Sequence, residues 1–304
     1  MPEPERPKLT AEVPGLPPRA PETHKGQAGH VAIIAGSRGM SGAAVLSGVG
    51  ALRGGAGLVR VCCPAAIQPI VAASEPSLMT VPLPDDANGR LSLASPAGHI
   101  DLDWPHVLAI GPGLGQNRTL PGLVQALLAA FERPMVVDAD GLNNLATLPG
   151  NVWQARAGRP TVITPHPGEM ARVREAAGLP RLHGDDDMTR LRIAHEYAEY
   201  AGVTVVLKGH RTIVCTADDA YVNTTGNPGM ATGGMGDVLT GLIAALLGQG
   251  LPAFDAARLG VYCHGLAGDR CKHEVAPIGY LAREVADHLP AALADTSQPR
   301  IGFR

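Results

Sequence analysis

Short apolar runs alternate with segments of helical spacing along most of the chain, and no other feature constrains the fold as much. Strands are predicted at His30–Gly36, Gly57–Cys63, Leu78–Val81, Val107–Ile110, Met135–Asp138, Thr161–Thr164, Val203–Lys208, Thr212–Cys215 and Ala220–Asn223. Helices are predicted at Ser41–Arg53, Leu120–Phe131, Gly168–Ala177, Met188–Ala201, Met235–Leu247, Ala253–Lys272 and Gly279–Leu293. The strands are apolar almost without interruption, so both of their faces must be covered, as in a parallel sheet between helical layers. The even alternation predicts one α/β domain with a doubly wound, mostly parallel sheet.

Residues 1–28 hold seven prolines and little apolar periodicity, which predicts an extended tail ahead of a domain at 29–304. The first residues have acidic groups and no apolar h-region, so a secretory signal is not expected. The uncharged stretch that begins at Val238 contains Gly248, Gln249, Gly250 and Pro252 and falls short of a membrane span of roughly 20 apolar residues. A cytoplasmic protein is therefore expected. A net charge of −3, with basic residues scattered and aromatics at 3%, gives neither an electrostatic footprint nor stacking platforms for nucleic acid. Five cysteines, two of them adjacent at Cys62 and Cys63, do not form a disulfide framework, and reduced thiols are expected.

The stretch "NTTGNPGMATGGMGDVLTGLIAALLGQG" is the most informative. Gly234, Met235 and Gly236 lead into an apolar helix, where backbone N–H groups can approach an anion that the helix N-terminus favours. Asp237 in the first turn suits a general base for a hydroxyl attacking phosphorus, since a carboxylate serving only the phosphate would repel it. The plain alternative is an acidic residue complementing the helix dipole. "GPGLGQN" and "AGSRGMSGAA" place glycines after strands, where open α/β sheets bind ligands, though tight turns need glycine anyway; Ser41 is a candidate N-cap. Asp138, Asp140 and Asn143 follow one strand, and Thr164, His166 and Glu169 follow another, so they can meet in one crevice; for the carboxylates the plain alternative is helix capping by Asp140 and first-turn placement of Glu169. Pro165 and Pro167 restrict the backbone on both sides of His166, which suits a ligand contact. Lys208 at a strand end can serve as a point charge for a phosphate or adenosine group, or be a solvated hairpin lysine. Cys263, His264, Cys271 and His273 lack the spacing of a metal site.

The motifs "HKGQAGHV", "AGSRGMSGAAVLSGVGALRGGAGLV", "IGPGLGQ", "VVDADGLN", "TPHPGEM", "LKGHRT" and "GNPGMATGGMGDVLTG" stand in order over residues 16–293. Together they resemble the NAD(P)H-hydrate dehydratase family, whose fold is ribokinase-like, a three-layer α/β/α arrangement. The resemblance implies repair of hydrated NADH and NADPH by nucleotide-driven dehydration of the S epimer, with ADP or ATP as co-substrate and Mg2+ as cofactor. It implies Asp237 as the base, with the amides of Gly234, Met235 and Gly236 as the anion hole. It further implies that Ala43, Gly113, His166 and Asp237 contact the hydrate. Lys208, Gly209, His210, Arg211, Thr212 and Gly236 would contact the adenine nucleotide. Asn143 and Glu169 would lie near the metal or the substrate. Relatives suggest a homotetramer, and a chain whose sheet is preceded only by a short tail is expected to depend on a separate epimerase for the other epimer. The rival expectations are a vitamin-precursor kinase using the same Asp237 and glycines, and a nucleotide-binding regulatory domain without turnover.

Overall fold

The computed structural model describes residues 7–93 and 95–297; the start of the expected tail and the last seven residues of the expected domain lie outside them. Ten strands form one sheet: β1 Lys8–Thr10, β2 His30–Ile34, β3 Leu58–Pro64, β4 Met79–Leu83, β5 Val107–Ile110, β6 Met135–Val137, β7 Thr161–Ile163, β8 Thr204–Leu207, β9 Ile213–Cys215 and β10 Asp219–Val222. The nine helices described are α1 Ser41–Arg53, α2 Gln68–Ser74, α3 Leu120–Ala130, α4 Ala139–Leu145, α5 Pro167–Ala176, α6 Asp187–Ala201, α7 Met235–Gly248, α8 Ala253–Glu274 and α9 Ala282–Ser297.

The strand order is β1-β10-β9-β8-β7-β6-β5-β2-β3-β4. Only β9 runs against the others, pairing antiparallel with both β8 and β10. The carboxyl ends of the remaining strands therefore gather along one edge. The chain winds outward from β2 through β3 to β4 and then returns to β5 on the other side of β2, with Val31 opposite Val107. That reversal places the loops after β2 and β5 side by side at the crevice where doubly wound sheets bind ligands.

Alternation along each strand builds two cores. Val31, Ile33, Val107 and Val136 face α1, α7, α8 and α9 on one side, whereas Ile34, Leu108, Ile110 and Val137 face α3, α4, α5 and α6 on the other. Each aliphatic side chain fully removed from water stabilises the fold by about 1.5–3 kcal/mol. α7 is apolar around nearly its whole circumference because it lies between the sheet, α1 and α8. Glycine makes this packing possible. A Cβ on Gly241 would collide with the carbonyl of Ser47, and one on Gly50 with the carbonyl of Val238, so the α1 and α7 backbones touch directly. All five cysteines are buried free thiols.

Three elements escape the apolar pattern. β1 is held to β10 by parallel backbone pairing, Lys8 opposite Asp219, and the tail is tied down again where Arg258 donates to the Glu12 carbonyl (2.9 Å). The proline-rich segment thus contributes an edge strand, which hydrophobic periodicity does not announce. α2 and α4 have only seven residues each, too few for a helical repeat to show. No helix among the described residues is long and apolar enough to cross a membrane.

Candidate active site

The strand ends deliver their polar residues to one place. Asp138 closes β6, His166 and Glu169 follow β7, Lys208 follows β8, and the first turn of α7 supplies Gly236 and Asp237. Gly234 stands at the N-cap of α7 with φ +91°, a left-handed conformation in which the glycine turn swings into the helix. This leaves the first amides of α7 without intrahelical acceptors and free to face an anion.

Lys208 is the hub of the cluster. Its Nζ donates to Asp138 Oδ1 at 2.7 Å and lies 3.7 Å from Glu169 Oε2. The same Nζ lies 3.4 Å from where a Cβ on Gly236 would stand, so the ammonium sits directly against the glycine turn. Burial opposes its charge, but Asp138, Glu169 and Asp237 outweigh that and raise its pKa. Lys208 is thus not a solvated hairpin lysine. Asp138 is almost fully buried, and its second oxygen accepts the hydroxyl proton of buried Thr240 at 2.7 Å. Burial, then Lys208 acting oppositely and Asp138 in the same direction, leaves Glu169 with a raised pKa.

Asp237 is partly buried on α7 and its pKa is pushed up to about 7. Burial is the main cause; the negative fields of Asp138, Asp140 and Glu169 add to it, and Lys208 opposes it. A carboxylate that binds its proton near neutrality can take one from an alcohol and release it again at the working pH.

His166 has a structural duty. It is the N-cap of α5: Gly168 N–H donates to its Nδ1 (3.0 Å), and its own N–H donates to Glu169 Oε2 (2.8 Å), a reciprocal capping box. Its Nε2 lies 3.2 Å from Glu169 Oε1, so both ring nitrogens are engaged within the turn while half of the side chain faces solvent. Met40, not Ser41, stands at the N-cap of α1. Asp140 does not cap α4 either; its carboxylate accepts Gly115 N–H (2.8 Å) and Asn143 Nδ2 (3.0 Å), fixing the glycine loop after β5. A Cβ on Gly113 would press against the side chains of Ala43 and Met40, which brings the β2 and β5 loops together.

Beside the hub lies a pocket of about 490 Å³, lined by Lys208, Gly209, His210, Arg211, Thr212 and Gly236 and closed by α8. Among the described residues, two non-glycine residues have left-handed backbones, Ala139 (φ +46°) and Arg211 (φ +53°), and both adjoin this cluster.

A family model described as NAD(P)H-hydrate dehydratase matches residues 31–291. The chain belongs to the NAD(P)H-hydrate dehydratase family. A bifunctional NAD(P)H-hydrate repair enzyme of Moorella thermoacetica is 42% identical over 93% of this chain and 52% of its own. The chain spans about half the length of that curated relative. An ADP-dependent (S)-NAD(P)H-hydrate dehydratase of Neisseria meningitidis is 38% identical over 90% of this chain and 87% of its own. The Bacillus subtilis ADP/ATP-dependent NAD(P)H-hydrate dehydratase, co-crystallised with ATP and Mg2+, superposes with a TM-score of 0.76 at 30% identity, covering 94% of this chain and 100% of its own. A ribokinase-like superfamily protein of Enterococcus faecalis also gives 0.76, at 26% identity over 96% of this chain and 97% of its own. The dehydratase-family chain therefore has the ribokinase-like fold.

In this family member the residues expected to bind nucleotide share one pocket, and Asp237 stands beside it at the hub. Ala43 and Gly113 meet across the β2–β5 crevice, and His166 lies at the start of α5. Sequence reasoning missed Thr240, whose signal was a hydroxyl three residues after Asp237 in an otherwise apolar helix. It also missed Asn227, which donates to Asp269 Oδ1 (2.9 Å) and accepts from Tyr280 (2.7 Å) in the pocket wall.

Proposed function

We propose that this chain is an ADP-dependent (S)-NAD(P)H-hydrate dehydratase. The observation that carries the reading is Asp237, a carboxyl of near-neutral pKa mounted on the first turn of α7 beside the Gly234–Gly236 amides. The names of the relatives support it.

Hydroxide is a poor leaving group, so the ring hydroxyl must first be converted to a better one. Asp237 takes the hydroxyl proton as the oxygen attacks the terminal phosphorus of ADP, and AMP leaves. The amides of Gly234, Met235 and Gly236 then hold charge on the transferring phosphoryl group. In the second step the C–O bond breaks, driven by the ring nitrogen lone pair, and phosphate departs. Loss of a proton from the neighbouring ring carbon restores the dihydropyridine. Lys208 to Thr212 would hold the nucleotide, and Ala43, Gly113 and His166 the hydrate.

A magnesium ion fits this site through water. The oxygens of Asp138 already serve Lys208 and Thr240, those of Asp140 serve Gly115 and Asn143, and no group of three or more metal ligands is gathered among the described residues. When bound by the nucleotide phosphates it would neutralise their charge, with Glu169 and Asn143 on its hydrated side.

The reading is tested by mixing the protein with hydrated NADH, Mg2+ and ADP or ATP, and following reduced-nicotinamide absorbance and released phosphate. Equal recovery of both establishes the dehydratase and names the donor. A stable phosphate ester without absorbance recovery would make it a kinase.

A further inference from the structure

Asp138 stands at the N-cap of α4, where an aspartate ordinarily accepts a backbone N–H of the first turn, yet its side chain makes no capping hydrogen bond. Its oxygens are engaged elsewhere: Oδ1 accepts from Lys208 Nζ and Oδ2 from the hydroxyl of Thr240, each at 2.7 Å. The next residue, Ala139, has φ +46°. The start of α4 thus forgoes a side-chain cap and carries backbone strain while the carboxylate is turned toward these two donors. Thr240 is as unusual in its own helix. It is fully buried within an apolar run of α7 from Val238 to Leu247. A helical threonine commonly returns its hydroxyl to the carbonyl four residues back, whereas here the proton goes to Asp138. A buried hydroxyl costs free energy unless it is bonded, and valine, of the same shape, would serve packing alone.

The two bonds form a strut from α7, which carries Gly236 and Asp237 one turn before Thr240, through Asp138 to Lys208. Lys208 Nζ has more than one place to settle. It lies 2.7 Å from Asp138 and 3.7 Å from Glu169, it feels the field of Asp237, and it sits against the Gly236 turn. How firmly Asp138 is held decides between them. Without the Thr240 hydroxyl, Oδ2 of a carboxylate only 1% exposed loses its donor. The ammonium, with three N–H groups, is then drawn across both oxygens and away from Gly236.

We infer that Thr240 is a positioning residue for phosphoryl transfer: through Asp138 it holds Lys208 Nζ against the Gly236 turn and beside Asp237. The inference rests on the dehydratase reading for the identity of the reaction. Thr240 is fully buried and outside the lining of the nucleotide pocket, so it acts through these neighbours.

Kinetics with hydrated NADH and ADP test this. Thr240→Val keeps the shape and removes the hydroxyl, and should lower kcat about 10- to 100-fold, the cost of misplacing a group at the reacting centre by about 1 Å. Thr240→Ser keeps the hydroxyl and should recover most of that loss. In Lys208→Met, where the far end of the strut is already gone, Thr240→Val should lower kcat by no more than about 2-fold further. The acid limb of kcat should move to higher pH in Thr240→Val, because the ammonium withdraws from Asp237 while Asp138, Asp140 and Glu169 stay. Undiminished kcat in Thr240→Val, an unmoved acid limb, a serine variant as slow as the valine one, or a full second loss on top of Lys208→Met would each overturn the inference. Proton–nitrogen NMR of the lysine ammonium groups reads the same strut without turnover. Of the four lysines, Lys8, Lys25 and Lys272 are exposed and Lys208 is not. Its resonance, the one missing from Lys208→Met, should shift in Thr240→Val and return in Thr240→Ser. If the wild-type protein restores no absorbance, the dehydratase reading fails and this spectrum decides the strut separately: a shifted Lys208 resonance retains it, and an unmoved one rejects it.

Discussion

Replacing Asp237 by asparagine should make the protein more stable while stopping its reaction. The folded-state pKa of about 7 lies far above the ordinary carboxyl value of 3.8. Folded protein therefore binds this proton more tightly than unfolded chain, and stability falls as pH rises from about 4 to 7. At 1.36 kcal/mol per pH unit, keeping Asp237 ionised above pH 7 costs at most about 4 kcal/mol. Asparagine preserves the shape and removes the charge, so it should recover about 2–4 kcal/mol at pH 8, a rise in Tm of about 5 °C. The advantage should shrink to about 1–2 kcal/mol at pH 5, where the native carboxyl is already protonated. Turnover should fall by about 10²- to 10⁴-fold, the usual contribution of a general base. Wild-type kcat should climb with pH through about 7 as the base ionises. The assay is differential scanning calorimetry of both proteins at pH 5 and pH 8, beside kcat across the same range. Wild-type turnover in the Asp237→Asn variant would refute the base, and a Tm difference independent of pH would refute the electrostatic strain.

Lys208→Met removes the cation shared by Asp138, Glu169 and Asp237, and should destabilise the fold by about 3–5 kcal/mol in chemical denaturation. It should also move the acid limb of kcat to higher pH, because Asp237 loses the one charge that lowers its pKa. Gly241→Ala must push α1 from α7 and should cost about 1–3 kcal/mol, with kcat falling as the first turn of α7 shifts; unchanged stability would contradict the direct backbone contact. His166→Ala removes the α5 cap, worth about 1 kcal/mol, and should raise KM for the hydrate; no change in either would exclude both roles.

Much of the architecture was legible because burial on both faces of a parallel strand leaves an unbroken apolar run, as at Val107–Ile110, which the structure reproduces residue for residue. The glycine turn before Asp237 was readable for a different reason: glycines gathered before an apolar helix mark a backbone that needs a left-handed residue, which Gly234 supplies with φ +91°. What could not be read was pairing. Nothing local to "VVLKG" or "VVDAD" shows that Lys208 and Asp138, just past the ends of β8 and β6, are bonded across the end of β7, or that Thr240 supports them from α7. The capping role of His166 was hidden likewise, because "TPHPGE" reads as a histidine restrained by two prolines, and the structure makes it the N-cap of α5.

The contact between α1 and α7 sets which parts of the molecule can move. Gly50, Gly54 and Gly241 put no side chain between the two helices, so neither can slide or tilt without the other. Ala43 rides on the first turn of one and Asp237 on the first turn of the other, which makes the floor of the β2–β5 crevice and the carboxyl proposed as the base a single rigid casting. The opposite bank is built differently: the β8–β9 turn carries Arg211 in a strained backbone and is held by a side chain, Arg190 of α6, not by direct backbone contact. A fixed anvil of two fused helices thus faces a bank of separate design, braced through one arginine.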